Sequence, residues 1–338
     1  MTDPGVDVSV LVPVLNEEEH IREAVASMRR QRFDGRIELL FVDGRSTDAT
    51  KDILEGLAGE DDRIHVLDNP ARRTPQALNI GLGAARGEFI ARMDAHSEYP
   101  DDYLARGVER LRRGDVAHVS GPQLARGAGR WSRRVALALS TPLGTGSAGF
   151  RHVGGEETEV DSGFTGVWRR STLDALGGWD EGWPQNQDGE LAARIRRGGG
   201  RIVCLPDMAA SYIPRDSLRA LARQYWRYGV YRAKTSERHP ESMRPSHLIA
   251  PGLAACLLVG LLPTRPGRLA RAGVGVYAVA LATAGVSAAR RAPPSDAASL
   301  PLVLATMHLC WGFGFLAGTL RFGPPVAALG HVLRRLGR

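Results

Sequence analysis

Asp94 and His96 stand two residues apart in the segment ARMDAHSEYP at 91–100, directly after an apolar run. Side chains so spaced can turn toward one point in a loop and hold a divalent cation, with diphosphate oxygens and water filling its remaining positions. A cation placed there neutralises a phosphate leaving group. The pair by itself fits equally well a surface histidine hydrogen-bonded to Asp94. A further carboxylate, Asp188 in NQDGEL at 186–191, heads a helical pattern that continues through Ile195 to Arg197. A positioned carboxylate can take the proton of an attacking hydroxyl, and an aspartate at a helix start can also be a cap.

The elements that must position these groups alternate. Residues 8–15 are a β-branched apolar run containing Pro13 and ended by Asn16, and 17–30 have helical composition with Ile21, Val25 and Met28 at apolar spacing. Residues 38–42 repeat the unit: an apolar run closed by Asp43, Gly44 and the Ser46-Thr47-Asp48 turn, then a helical segment through Leu57. Residues 63–67 read as a third strand, 75–85 as a helix and 87–93 as a fourth strand ending at Asp94. Strands alternating with helices predict an α/β fold on a doubly wound, mostly parallel sheet. Such sheets bind ligands at the carboxyl ends of their strands, where Pro13, Asn16, Glu17, Asp43 and Asp94 all fall. Gly81, Gly83 and Gly87 are not a dinucleotide fingerprint, because they follow a helix and precede a strand. That order excludes a nicotinamide oxidoreductase.

The net charge is +7 and only Lys51 and Lys234 are lysines, so the excess is arginine. The arginines are scattered through helices and apolar connectors rather than grouped with aromatics, which favours anionic lipid over nucleic acid as their partner. Cys204, Cys256 and Cys310 are far apart, as expected of reduced, packed thiols. The first residues carry Asp3 and Asp7 and do not read as a signal peptide, which leaves this end in the cytoplasm. From about residue 248 three apolar stretches follow, at 248–263, 272–289 and 300–320, separated by arginine-containing connectors. A membrane helix needs about 20 apolar residues; the last two stretches are long enough, and the first is marginal or re-entrant. The expected organisation is a catalytic domain at 1–240 and a membrane region at 241–338 with two or three transmembrane helices. The chain is thus expected in the cell membrane, multi-pass, with its catalytic domain cytoplasmic; a first stretch that only dips keeps Arg265, Arg268, Arg271 and the basic tail on that side.

Five motifs, in order, resemble the family 2 glycosyltransferases of the GT-A fold, in the branch similar to succinoglycan-biosynthesis enzymes. They are VSVLVPVLNEEEHI at 8–21, FVDGRSTDAT at 41–50, LNIGLGAARGEFIARMDAH at 78–96, GGWDEGWPQNQDGEL at 177–191 and QYWRYGVYRAKT at 224–235. The resemblance implies an inverting transfer from a nucleotide sugar, with a UDP-sugar as the expected donor and a lipid-linked or saccharide acceptor. It implies that Pro13, Leu15, Glu17 and Asp43 frame base and ribose, and that Asp94 and His96 occupy the Asp-x-Asp position and bind Mn²⁺ or Mg²⁺. An imidazole there softens the site toward Mn²⁺. Asp188 matches the catalytic base of the Glu-Asp motif, with Gln187 in place of the Glu. Gln224, Trp226 and Arg227 resemble the Gln-x-x-Arg-Trp motif, lining the acceptor site and approaching the diphosphate; an amphipathic interfacial helix would carry the same residues. Trp168, Trp179 and Trp183 suit a sugar pocket or ordinary core packing. Arg45, where a glycine is common, faces a phosphate or solvent. The competing expectation is an inactive membrane scaffold of the same fold, suggested by His96 and Gln187.

Overall fold

The computed structural model describes residues 5–146 and 155–336. The chain forms two compact units, one of Met1–Leu124 with Gly149–Tyr212 and the other of Ala125–Ala148 with Ile213–Arg338. The first unit closes at Tyr212, and of the described residues 125–146 group with the carboxy-terminal unit.

The first unit is built on an eight-stranded sheet. In chain order its elements are β1 (Val8–Val14), α1 (Ile21–Arg29), β2 (Ile37–Asp43), α2 (Thr50–Glu60), β3 (Ile64–Asp68), α3 (Thr74–Ala84), β4 (Phe89–Arg92), β5 (Ser97–Glu98), α4 (Tyr103–Arg112), β6 (His118–Ser120) and β7 (Gln123–Ala125). The chain returns to this unit with β8 (Thr158–Glu159), β9 (Gly166–Arg169), α7 (Arg170–Leu176), α8 (Gln187–Arg197), β10 (Ile202–Cys204) and β11 (Ala210–Tyr212). The sheet order is β3-β2-β1-β4-β9-β6-β10-β8, and β5-β11-β7 form a small second sheet. β1 pairs in parallel with β2 on one side, Val8 opposite Ile37, and with β4 on the other, Val8 opposite Phe89. The winding therefore reverses at β1, and a crevice opens between the carboxyl ends of β1 and β4. β9 runs antiparallel to both its neighbours, so the sheet is mostly but not wholly parallel.

Both sheet faces are covered, which is why the strands read as continuous apolar runs. Val8, Val10 and Val12 of β1, each wholly buried, pack with Met28 of α1 and Leu54 of α2. Leu11, pointing the other way, packs with Leu78 of α3 and Leu191 of α8. Burial of each such side chain contributes about 1.5–3 kcal/mol, so the alternation fixes which face each helix covers. Trp168, Trp179 and Trp183 are 3%, 2% and 5% exposed, and Trp168 stacks on His118 at 4.0 Å and meets Trp179 edge-on at 5.9 Å. They are core residues. Burial pushes His118 down to about 3, so it packs as a neutral ring.

The second unit contains α5 (Arg130–Leu139), α6 (Pro142–Thr145), α9 (Leu218–Arg238), α10 (Ile249–Val259), α11 (Arg265–Ala288), α12 (Pro294–Phe322) and α13 (Val326–Leu336). α11 and α12 are long and apolar enough to cross a membrane and fit membrane helices. α10 has 11 residues; at 1.5 Å each it covers about 16 Å, about half of a hydrocarbon core. α9 packs along α12, where Gly314 lies against the Trp226 main chain and Gly318 against that of Val230; a side chain at either glycine would collide with the facing helix. Arg134 of α5 and Asp296 of α12 form a buried ion pair at 3.1 Å.

Candidate functional site

The crevice between β1 and β4 is walled by loops that hold one another. Asn16, following β1, is in the left-handed region at φ 55°, which asparagine tolerates because its short side chain bonds locally. Its main-chain N–H donates to Ser46 Oγ at 2.9 Å and its Oδ1 accepts from Thr47 N–H at 2.8 Å. Glu17 N–H donates to Thr50 Oγ1 at 2.8 Å, and Ala49 N–H to Glu18 Oε2 at 2.9 Å. Asp43, buried at the end of β2, accepts from the Ser46 hydroxyl at 2.6 Å and the Ser46 N–H at 3.1 Å. Pro13 is half-buried within β1 and Leu15 is 38% exposed at the rim. Arg45 lies in solvent, its side chain 60% exposed, and pairs there with the equally exposed Asp68 through two bonds of 3.1 and 3.0 Å.

β4 supplies the charges. Arg92, its last residue, is 3% exposed; its guanidinium lies over Phe164 at 4.9 Å and its Nε donates to Asp94 Oδ1 at 3.1 Å. Asp94 is 5% exposed, and its main-chain N–H donates to Tyr99 Oη at 2.7 Å. His96 turns to Glu17: its Nδ1 lies 3.2 Å from Glu17 Oε1. A carboxylate partner on Nδ1 fixes the tautomer with the lone pair on Nε2, the form in which imidazole binds metal. Among the described residues no three His, Cys, Asp or Glu side chains group as a metal cage. A cation that keeps water and diphosphate oxygens in its shell needs only one or two protein ligands, and a carboxylate with an imidazole, the chemistry of Asp94 and His96, is of that donor type.

Asp188 lies in the first turn of α8, behind Asn186, which stands at the helix entry in the left-handed region at φ 61°. Its carboxylate accepts from the main-chain N–H groups of residues 188 and 189. It is half-buried. That burial raises its pKa; Arg92 opposes the rise and Asp94 adds to it. Arg92, Asp94 and Asp188 thus act on one another electrostatically. Gln187, where the resemblance expects an acid, is buried.

Gln224, Trp226 and Arg227 belong to α9 of the second unit. Gln224 Nε2 donates to Tyr228 Oη at 2.9 Å, Trp226 is 44% exposed and Arg227 is exposed. Two residues within the 78–96 motif have no role in the motif reading. Arg92 was legible only as an arginine ending an apolar run, two residues before Asp94. Asn79 of α3 accepts from Trp179 N–H at 2.9 Å and donates to Trp179 O at 2.8 Å, and so holds the segment that leads to Asp188.

Residues 9–176 match the family model described as glycosyl transferase family 2. The chain is 33% identical to the succinoglycan biosynthesis protein ExoA of Rhizobium meliloti (strain 1021), over 94% of this chain and 96% of that one. It is 32% identical to the GalNAc(5)-diNAcBac-PP-undecaprenol beta-1,3-glucosyltransferase of Campylobacter jejuni, over 37% of this chain and 40% of that one. Among solved structures it is similar to the mannosyltransferase PcManGT from Pyrobaculum calidifontis in complex with GDP-Man and Mn²⁺, at a TM-score of 0.53 and 23% identity, covering 98% of this chain and 88% of that one; that likeness bears on the GT-A fold alone. Motifs, sheet and site therefore meet in one assignment: the chain is a glycosyltransferase and belongs to glycosyl transferase family 2.

Proposed function

We propose that the chain transfers a sugar, with inversion, from a nucleotide sugar to a lipid-linked or saccharide acceptor at the membrane, with Asp188 as general base. The observation that carries this reading is the environment of Asp188: a half-buried carboxylate in the first turn of α8, raised by burial, with Arg92 and Asp94 near enough to act on it. A raised pKa makes a carboxylate a stronger proton acceptor than an ordinary aspartate. The acceptor hydroxyl oxygen forms the new bond to the anomeric carbon while the bond from that carbon to the diphosphate breaks. The hydroxyl proton passes to Asp188 and the nucleoside diphosphate leaves. A divalent cation, Mn²⁺ or Mg²⁺, held by Asp94 and His96 would supply charge neutralisation to the leaving diphosphate. Glu17 keeps His96 in its tautomer, Arg92 holds Asp94, and Pro13, Leu15 and Asp43 form the wall facing base and ribose.

The donor is a UDP-sugar in this reading, Gln224, Trp226 and Arg227 serve acceptor and diphosphate, and α11 and α12 anchor the chain in the cell membrane with the catalytic unit cytoplasmic. The relatives support a membrane-side acceptor, since one of them is named for an undecaprenol-linked one. The test is nucleotide release by the detergent-solubilised chain against UDP-, GDP- and dTDP-sugars with Mn²⁺ or Mg²⁺. Turnover that Asp188→Asn abolishes while donor binding survives is the expected result. Donor binding with no turnover by the wild type on any acceptor would favour the inactive scaffold.

A further inference from the structure

The second unit ends in a helix that the transfer chemistry does not use. α13 buries Ala328 and Val332 in an apolar cluster with Ala233, Met243 and Phe315. Beside that strip it presents a second one, Val326, Leu329 and Leu333, at 67%, 38% and 68% exposure. On a helix of 3.6 residues per turn these three lie within about 60° of one another. Arg334 and Arg335 are exposed in the last turn. A helix with one apolar strip docked, another open and cations beside it is built to lie along a boundary between apolar and charged media.

Two further observations say which boundary. The first is depth. α9 and α12 pack side by side to where Lys234 and Arg321 both lie over the Phe322 ring, at 5.5 and 5.0 Å. Cations that gather at the end of an apolar helix mark the level at which it leaves hydrocarbon for headgroups. α13 starts at Val326, just past that level, and packs on α9. The second is charge. Ten arginines and one acidic residue, Asp296, follow Glu241, a surplus larger than the +7 of the whole chain. A second copy of this surface would be repelled, whereas an anionic surface is attracted.

We infer that α13 lies in the plane of an anionic lipid leaflet, with Val326, Leu329 and Leu333 at the boundary of acyl chains and headgroups and Arg334 and Arg335 among lipid phosphates. This rests on the membrane anchoring stated above and not on the transfer chemistry. Each arginine near such a surface favours the bound state by about fivefold, about 1 kcal/mol.

The test uses the full chain reconstituted in phosphatidylcholine vesicles with or without phosphatidylglycerol. A nitroxide is placed at residue 333 or, as control, at 327, after the three native cysteines are changed to serine. Ala327 is exposed off the open strip. With phosphatidylglycerol present, the ratio of oxygen to nickel-chelate collisions should be several-fold higher at 333 than at 327. It should fall toward the control in pure phosphatidylcholine and in Arg334→Gln/Arg335→Gln. Equal ratios at both sites, or spin–spin broadening at 333 from a neighbouring copy, would overturn the inference. Hydrogen exchange on the unlabelled wild type checks it without cysteine changes: α13 amides should be better protected with phosphatidylglycerol than without, and equal protection counts against it. A wild type that floats with vesicles of neither composition refutes the anchoring itself; one that floats with both while 333 stays open to nickel refutes only the role of α13.

Discussion

Replacing Arg92 by methionine tests whether the charges at the end of β4 work as a unit. The Arg92 and Asp94 side chains are 4% and 7% exposed and 3.1 Å apart, so water cannot replace a lost partner. Removing one member of a buried pair costs about 3–5 kcal/mol, because the other remains buried without compensation. The same figure follows from the Coulomb energy of two charges about 4 Å apart at an effective dielectric near 20, about 4 kcal/mol. In a unit of 150–250 residues each kcal/mol moves the melting temperature by about 2–4 °C, so Arg92→Met should lower it by about 6–20 °C. The assay is a far-ultraviolet thermal melt with a double-mutant cycle. Asp94→Asn added to Arg92→Met should restore part of the loss, with a coupling of about 0.5–3 kcal/mol. Arg92→Lys keeps the charge and loses the planar fork, and should fall between. An Arg92→Met melt within 2 °C of wild type, or strictly additive losses in the cycle, would refute the reasoning.

Asp188→Asn should lower turnover by about 10²–10⁴-fold while donor binding persists, read by single-turnover kinetics and donor titration. Because its folded pKa is raised above the unfolded value of 3.8, the folded chain holds this proton to higher pH, and the stability associated with the neutral form is lost as pH rises through the folded value. Asp188→Asn should therefore raise the melting temperature at neutral pH, and the acid limb of kcat/KM should lie above the range of an ordinary aspartate; a limb at 3.8 would contradict both. Asn79→Ala strands the main-chain N–H and C=O of Trp179, at about 1–3 kcal/mol for each group left unpaired, and should speed hydrogen exchange over residues 178–183. Arg45→Ala should leave stability and donor KM unchanged, since its partner is the exposed Asp68; a raised KM would restore the phosphate contact.

Periodicity was enough for β1 to β4 and α1 to α3, because their apolar runs alternate in order with helical patterns along the chain. β9 was not legible. Gly166–Arg169 has four residues, and its antiparallel place between β4 and β6 depends on partners about 80 and 50 positions away in the sequence. β5, β7 and β11 are two or three residues each, too short to show a period. Asp188 could be read as a base only through the motifs around it, since a helix-start aspartate is locally ambiguous. The bond between His96 and Glu17 is not legible in the sequence, because Glu17 follows a different strand, 79 positions earlier. Arg92 was passed over for a similar reason: its burial requires Phe164 and Asp188, which sequence proximity does not reveal.

In the proposed reading, Arg92, Asp94 and His96 together set how strongly a nucleotide-sugar donor would depend on metal. A site with two carboxylates at the Asp-x-Asp position is strongly anionic and repels a diphosphate until a cation arrives. Here His96 replaces one carboxylate, and Arg92 brings a permanent positive charge beside the other. Each change moves the local charge by about one unit, and a unit charge at about 7–10 Å and an effective dielectric near 20 is worth about 2 kcal/mol, some 30-fold in affinity. The chain should therefore bind UDP measurably in EDTA, and His96→Asp should weaken that metal-free binding by at least about tenfold while leaving binding in Mn²⁺ closer to wild type. Isothermal titration in EDTA and in Mn²⁺ reads both values. Metal-free binding unchanged in His96→Asp would mean that the charge at this position does not face the diphosphate, and the donor geometry assigned to Asp94 and His96 would have to be abandoned.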